Sequence, residues 1–434
     1  MSTVLPLNAI SKYPRLDMSL LAPHRPWHIR TLNNVGRGLS GCGLKLPVLE
    51  AEVLLERACK ATGLTDFGDR DFHSGLEHLL SALNEQAQLN QFGRITAYVT
   101  LMGYLKNRLR LTDYRCLHPD VGNENVPRPI FIVGLPRTGT TIVFNLLAMD
   151  PATRVPLAWE VENPFPPPRA ETYRTDPRID VCRKQFANLD KLLPSLKAIH
   201  EFDAELPQEC VPMFRHTFRC MEFSVMYQIP SYYQWLSGQD VSPALRFHKR
   251  YIQHLQQHYK KERWVFKSPA HLYSIEELFG VYPDARVIHT HRDPAKVMPS
   301  LASLAYTLRG LGSDDVDARQ VGQQQIQLWG DALGRAVTAR TNLADRMEQF
   351  YDVQYEQVVE DPVALVSRIY EHFDIEFRPQ ARRAMEAFVV DNPQGKHGKH
   401  DYTAEDFGMD AARDFEPFRG YCQMFDIPNS LPMG

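Results

Sequence analysis

The sequence predicts an α/β fold: a P-loop-type parallel sheet flanked by helices, with an N-terminal helical extension. Three observations carry that prediction. Ile130-Phe131-Ile132-Val133 is a short apolar run that runs into a glycine-containing turn and then a helical stretch from Thr141 to Met149. Trp264 to Lys267 reads as a second buried strand. A helix from about His271 to Phe279, closed by Gly280, leads to a third strand over Ala285–His291, and strand-helix-strand at this spacing is a parallel unit. Ahead of residue 127 the apolar residues recur at helical spacing. The predicted division is therefore a helical extension over 1–126 and a main domain over 127–434, the latter with a helical segment at about 156–260.

Taken in order, residues 1–45 carry Pro6, Pro14, Pro23, Pro26 and a glycine-rich patch, and they read as an irregular arm. Leu46 to Lys60 places Leu49, Val53, Leu54 and Ala58 on one helical stripe that ends before Gly63. Ser74-Gly75-Leu76-Glu77 has the form of a capping box ahead of Leu79, Leu80 and Leu83. A third helix is predicted from Ile95 to Leu109. These helices show no chemical motif and read as packing elements, with dimerisation or closure over a site left open.

The turn after the first strand, Gly134 to Thr141, has the composition of an anion site. Gly134 and Gly139 let the backbone curl, and the unpaired N–H groups of the helix start face a negative charge. A nucleoside-triphosphate loop of this glycine spacing needs a lysine before its final hydroxyl residue. Thr140 stands there instead, and the cation of the loop is Arg137. That exchange weighs against ATP or GTP and favours a phosphate group flanked by a forked guanidinium.

Gly134-Leu135-Pro136-Arg137-Thr138-Gly139-Thr140-Thr141 resembles the 5′-phosphosulfate loop of the sulfotransferases, in the bacterial-type form related to tyrosylprotein sulfotransferases. A second segment, Arg286 to Ser300, resembles the 3′-phosphate motif of the same family, in which a strand-end arginine precedes a serine by eight positions, as Arg292 precedes Ser300. The resemblance spans roughly residues 127–430. It implies transfer of a sulfuryl group from 3′-phosphoadenosine 5′-phosphosulfate (PAPS) to a hydroxyl or amine, without a metal, leaving 3′,5′-adenosine diphosphate. It assigns Pro136, Arg137, Thr138, Gly139, Thr140 and Thr141 to the phosphosulfate, and Arg292 and Ser300 to the 3′-phosphate. Tyr355 falls near the adenine, and Lys399 lies in a C-terminal loop over the 3′-phosphate. Lys267 matches the lysine that supports the bridging oxygen, and Glu160 matches the general base. His200 competes for the role of base, because other branches of the family use histidine.

The segment from Pro156 to Pro168 is too rich in proline for regular structure. Residues 170–260 read as mostly helical and dense in aromatic side chains, which are core first and candidates for an apolar acceptor wall second. The acidic set Glu201, Asp203, Glu205 and Glu209 leaves a cationic acceptor open. Asp361 before Pro362 predicts a helix start. His289 and His291 share a strand face and read as packing. The tract Gly395 to Tyr402 is basic and histidine-rich.

Composition narrows the partners. A formal net charge of −3 argues against nucleic-acid binding by bulk electrostatics, and 44% hydrophobic residues give ample core material. Seven scattered cysteines fit reduced thiols. The start lacks the pattern of a cleaved signal and no apolar run reaches membrane-spanning length, so the expectation is a cytoplasmic enzyme acting on a small molecule, with a homodimer left open. A P-loop kinase for a nucleoside or small molecule, and a nucleotide-binding scaffold without turnover, are the alternative readings.

Overall fold

In the computed structural model, which describes residues 25–192, 203–392 and 403–427, the chain is built around five parallel strands. They are β1 (Ile130–Val133), β2 (Thr153–Arg154), β3 (Arg263–Lys267), β4 (Arg286–His291) and β5 (Phe350–Gln354), in the spatial order β2-β3-β1-β4-β5. In register, Ile132 stands beside Lys267 on one side and Ile288 on the other. The chain leaves β1 toward β2 and β3, then returns across β1 to β4. The crevice beyond the carboxyl end of β1 is therefore a point where the winding reverses, the place where open parallel sheets receive ligands.

Side-chain alternation explains why β1 has no polar residue. Ile130 and Ile132 pack with Val265, Ile288, Leu146, Leu147 and Ile369 on one face. Phe131 and Val133 pack with Phe266, Val287 and Leu301 on the other. Both faces are covered, so an uninterrupted apolar run is the only suitable content.

The N-terminal helices are α1 (Trp27–Gly41), α2 (Ala51–Thr62), α3 (Phe72–Glu85) and α4 (Gln91–Leu117). Helix α1 lies in the stretch expected to be irregular, and it starts directly after Pro26, where a proline's missing N–H costs nothing. Helix α3 begins two residues before Ser74, so the capping box is not used. Helix α4 extends well past the predicted Ile95–Leu109, because Asn90 caps it, its side chain accepting the Gly93 N–H at 2.8 Å. Leu76, Leu101 and Leu105 share one core with Phe131, Phe266 and Leu301, and the Asn90 N–H bonds the Gly312 carbonyl at 2.9 Å. The extension is packed directly onto the main domain.

After β1 come α5 (Thr140–Ala148), α6 (Ala158–Glu162) and α7 (Arg178–Leu192). Helix α6 is a single turn inside the proline-rich segment expected to be irregular. The helix predicted between β3 and β4 is split into a 3₁₀ turn, Pro269–Tyr273, and a helix, Ile275–Val281, that runs through Gly280. Among the described residues, no helix is long and apolar enough to cross a membrane. All seven cysteines are free.

Candidate active site

The loop that closes β1 owes its shape to three positive φ angles: +146° at Gly134, +70° at Arg137 and +92° at Gly139. A Cβ on Gly134 would lie 2.2 Å from the Thr290 hydroxyl and 2.6 Å from its carbonyl, so the loop passes β4 at backbone distance. Arg137 holds a left-handed conformation that a long side chain rarely adopts, a strain typical of ligand loops. Thr138 is fully buried; its hydroxyl donates to the Leu135 carbonyl at 2.6 Å and shares a 2.6 Å bond with the Thr290 hydroxyl. The loop is thus clamped from below, while the side chains of Arg137 and Thr141 are exposed. The first N–H groups of α5 lack helical partners, which makes its start a receptor for an anion.

Arg292, just past β4, meets this loop. It donates to the Arg137 carbonyl at 2.7 Å, and its guanidinium sits 3.8 Å from the centre of the Tyr355 ring. Asp293 caps the helix Pro294–Gly312, its carboxylate accepting the Ala295 N–H at 2.9 Å, and Ser300 lies buried two turns along. Tyr355 opens the helix Tyr355–Glu360 at the end of β5. The structure therefore brings Arg137, Arg292 and Tyr355 together. Lys399 and His200 lie outside the described residues.

Lys267 ends β3 at the root of the loop. Its side chain is 4% exposed, and Nζ donates to Glu209 Oε1. The Cys210 N–H bonds the Lys267 carbonyl at 3.0 Å, which fixes Glu209 beside the strand end.

Glu160 is placed differently from the expectation of a general base. It is completely buried, and its carboxylate accepts from Arg154 Nη2 at 2.8 Å, the Tyr173 hydroxyl at 3.0 Å and the Leu157 N–H at 3.1 Å. Arg154 stands opposite Trp264, three residues before Lys267 on β3, which is about 10 Å down the strand at ~3.3 Å per residue. Arg154 is itself enclosed by the rings of Tyr173, Tyr259 and Trp264. Glu160 anchors the opposite half of the sheet and its own helix start, with no surface left for a ligand. The carboxylate that stands against the carboxyl end of β3 is Glu209. In the sequence it was one acid in a set of four; what singles it out is its contact with a strand end 58 residues away.

The remaining candidates are partnered. Glu205 pairs with Arg183 and, at 3.7 Å, with Arg174, which removes most of its appeal to a cationic acceptor. Phe214, Phe218, Phe223 and Tyr232 are buried core, as their bulk predicts, and Tyr227 and Trp235 are partly exposed. His289, His291 and Asp352 bring potential metal-ligating atoms within 4.8 Å of one another. However, His291 shares its nitrogens with the Tyr421 hydroxyl and Asp352, both at 3.0 Å, and Asp352 takes both forks of Arg340 at 2.7 and 2.9 Å. The guanidinium supplies the positive charge there. Burial holds both histidines below the usual range, and Asp352 stays low against its own burial through Arg340 and His291.

Comparison with known proteins adds to this geometry. A family model described as the sulfotransferase family matches residues 129–379. The omega-hydroxy-beta-dihydromenaquinone-9 sulfotransferase Stf3 of Mycobacterium tuberculosis is 28% identical over 296 residues, covering 64% of this chain and 70% of that protein. The crystal structure of sulfotransferase STF1 from Mycobacterium tuberculosis superposes with a TM-score of 0.77 at 32% identity, covering 86% of this chain and 98% of the other. That of sulfotransferase STF9 from Mycobacterium avium gives 0.82 at 28% identity, covering 89% and 99%.

Proposed function

The chain belongs to the sulfotransferase family, and from that premise we propose that it moves a sulfuryl group from PAPS to the hydroxyl of a small apolar acceptor, releasing 3′,5′-adenosine diphosphate. The observation that carries this reading is the junction of the two motifs: Arg292 bonds the loop carbonyl of Arg137 while lying on the Tyr355 ring. The loop from Pro136 to Thr141 holds the phosphosulfate through its N–H groups, with Arg137 and Lys267 offsetting charge that develops on it. Arg292 and Ser300 take the 3′-phosphate, and Tyr355 offers a face to the adenine; the family resemblance assigns Lys399, outside the described residues, to the 3′-phosphate as well. PAPS supplies an activated sulfuryl group, and in-line attack by the acceptor needs a base and a positive field rather than a metal.

A hydroxylated apolar acceptor is supported by the relative whose name denotes a hydroxylated menaquinone. A kinase reading is disfavoured by Thr140 at the lysine position of a nucleoside-triphosphate loop.

Thermal denaturation tests the donor. 3′,5′-Adenosine diphosphate without added metal should stabilise the protein, by about 2.7 kcal/mol at 100 times its dissociation constant. Stabilisation by Mg-ATP alone would overturn the assignment. Turnover of PAPS across hydrophobic alcohols, phenols, amines and oligosaccharides then identifies the acceptor class.

A further inference from the structure

We propose that Glu209 is the general base of the reaction, the group that takes the proton of the acceptor hydroxyl. The inference rests on the sulfuryl-transfer reading and deepens it.

The base must be a carboxylate or imidazole that reaches the space in front of the phosphosulfate loop. Glu160 fails on access: it is fully buried, and three donors occupy it. Glu209 meets the requirement on three counts. It stands against Lys267, which lies in register with Ile132 one residue before the end of β1, and the Cys210 N–H bond to the Lys267 carbonyl fixes it there. Its side chain is 22% exposed, against 4% for Lys267, so the carboxylate is the outward member of the pair. Among the described residues, only its Oε1 accepts a side-chain hydrogen bond, which leaves Oε2 for an incoming hydroxyl.

The same pair answers the charge requirements of the step. The acceptor O–H proton passes to Glu209 Oε2 as the acceptor oxygen bonds to sulfur. The bond from sulfur to the 5′-phosphate oxygen breaks, and its electron pair leaves on that oxygen, which Lys267 faces. One ion pair thus receives the proton on its anion and offsets the leaving charge with its cation.

The test uses the full-length enzyme and the acceptor class that the wild type turns over. Glu209→Gln should bind 3′,5′-adenosine diphosphate by calorimetry as the wild type does; its melting temperature should fall because the buried Lys267 loses its partner, so kcat is measured well below that temperature. It should also lose kcat by roughly 10²–10⁴-fold. A series of acceptors with progressively more acidic hydroxyls separates base catalysis from positioning of Lys267. A base matters less as the hydroxyl gives up its proton more easily, so the loss should shrink along the series, and Glu209→Asp should restore part of the rate. A loss equal for every acceptor, or a kcat near wild type, would overturn the assignment. If the wild type binds no 3′,5′-adenosine diphosphate, the donor reading itself has failed, and that result is distinct from either.

Discussion

Arg292 places its guanidinium 3.8 Å from the centre of the Tyr355 ring and donates the same group at 2.7 Å to the Arg137 carbonyl. One cation therefore joins three segments that are far apart in the chain: the loop after β1, the turn after β4 and the helix after β5. Stacking on a ring fixes the plane of the guanidinium, and the bond to the loop uses one fork, leaving other N–H donors for a ligand.

The first prediction follows from those free donors. Arg292→Ala should weaken 3′,5′-adenosine diphosphate by about 10–100-fold, the value of one or two charge-assisted hydrogen bonds, and adenosine 5′-monophosphate much less. Calorimetry with both nucleotides checks it. An equal loss for the two would mean that the arginine only braces the loop.

The loop's approach to β4 gives a second. In Gly134→Ala the new methyl would meet the Thr290 hydroxyl and carbonyl at 2.2 and 2.6 Å, at a φ of +146° that disfavours any side chain. The loop must shift, so binding of 3′,5′-adenosine diphosphate should fall at least tenfold and stability should drop by roughly 1–3 kcal/mol. Urea unfolding alongside calorimetry separates the two effects. Unchanged binding would show that the loop accommodates the methyl.

A third concerns the buried pair of Arg154 and Glu160, whose side chains are 1% and 0% exposed. Removing one charge strands the other among aromatic rings, so Glu160→Gln should cost about 3–5 kcal/mol of stability. Well below its melting temperature the variant should keep its kcat. A specific loss of kcat without loss of stability would return the role of base to Glu160.

What could be read from the sequence was what is local. The strand-loop-helix unit at Ile130–Ala148 and the start of the helix Pro362–His372, where Asp361 accepts the Ala364 N–H at 2.9 Å, are each specified within a few residues. Strands β2 and β5 could not be read this way. Two residues carry no period, and Phe350-Tyr351-Asp352-Val353-Gln354 becomes a strand through its pairing with β4. The site divides similarly. The loop and the Arg292–Ser300 spacing are visible in one dimension. Which acid stands at the end of β3 depends on what folds against Lys267, and no local pattern encodes that contact.

The last prediction concerns acid. His216, His248, His254, His271, His289 and His291 are all buried, and burial lowers the pKa of each: to about 4 for His216 and His254, and to about 3 for His271. His271 has no hydrogen-bond partner on either ring nitrogen and sits edge-on to Phe131 and Phe214, so a charge there would be uncompensated. The sign follows from proton counting. Below pH 6.5 the unfolded chain binds protons at these positions while the folded one does not, so stability falls as pH falls, until each folded pKa is reached. At pH 5 His216, His254 and His271 each cost about 2 kcal/mol relative to neutral pH. Asp352 does not offset this, because the stability from its lowered pKa is retained until the pH nears its ordinary value of 3.8. The melting temperature should therefore drop steeply between pH 7 and pH 5. His271→Phe, which keeps a flat ring in the same site, should reduce the slope by about one proton's worth. A flat profile across that range, or an unchanged slope in His271→Phe, would mean that these histidines are solvated or partnered in solution.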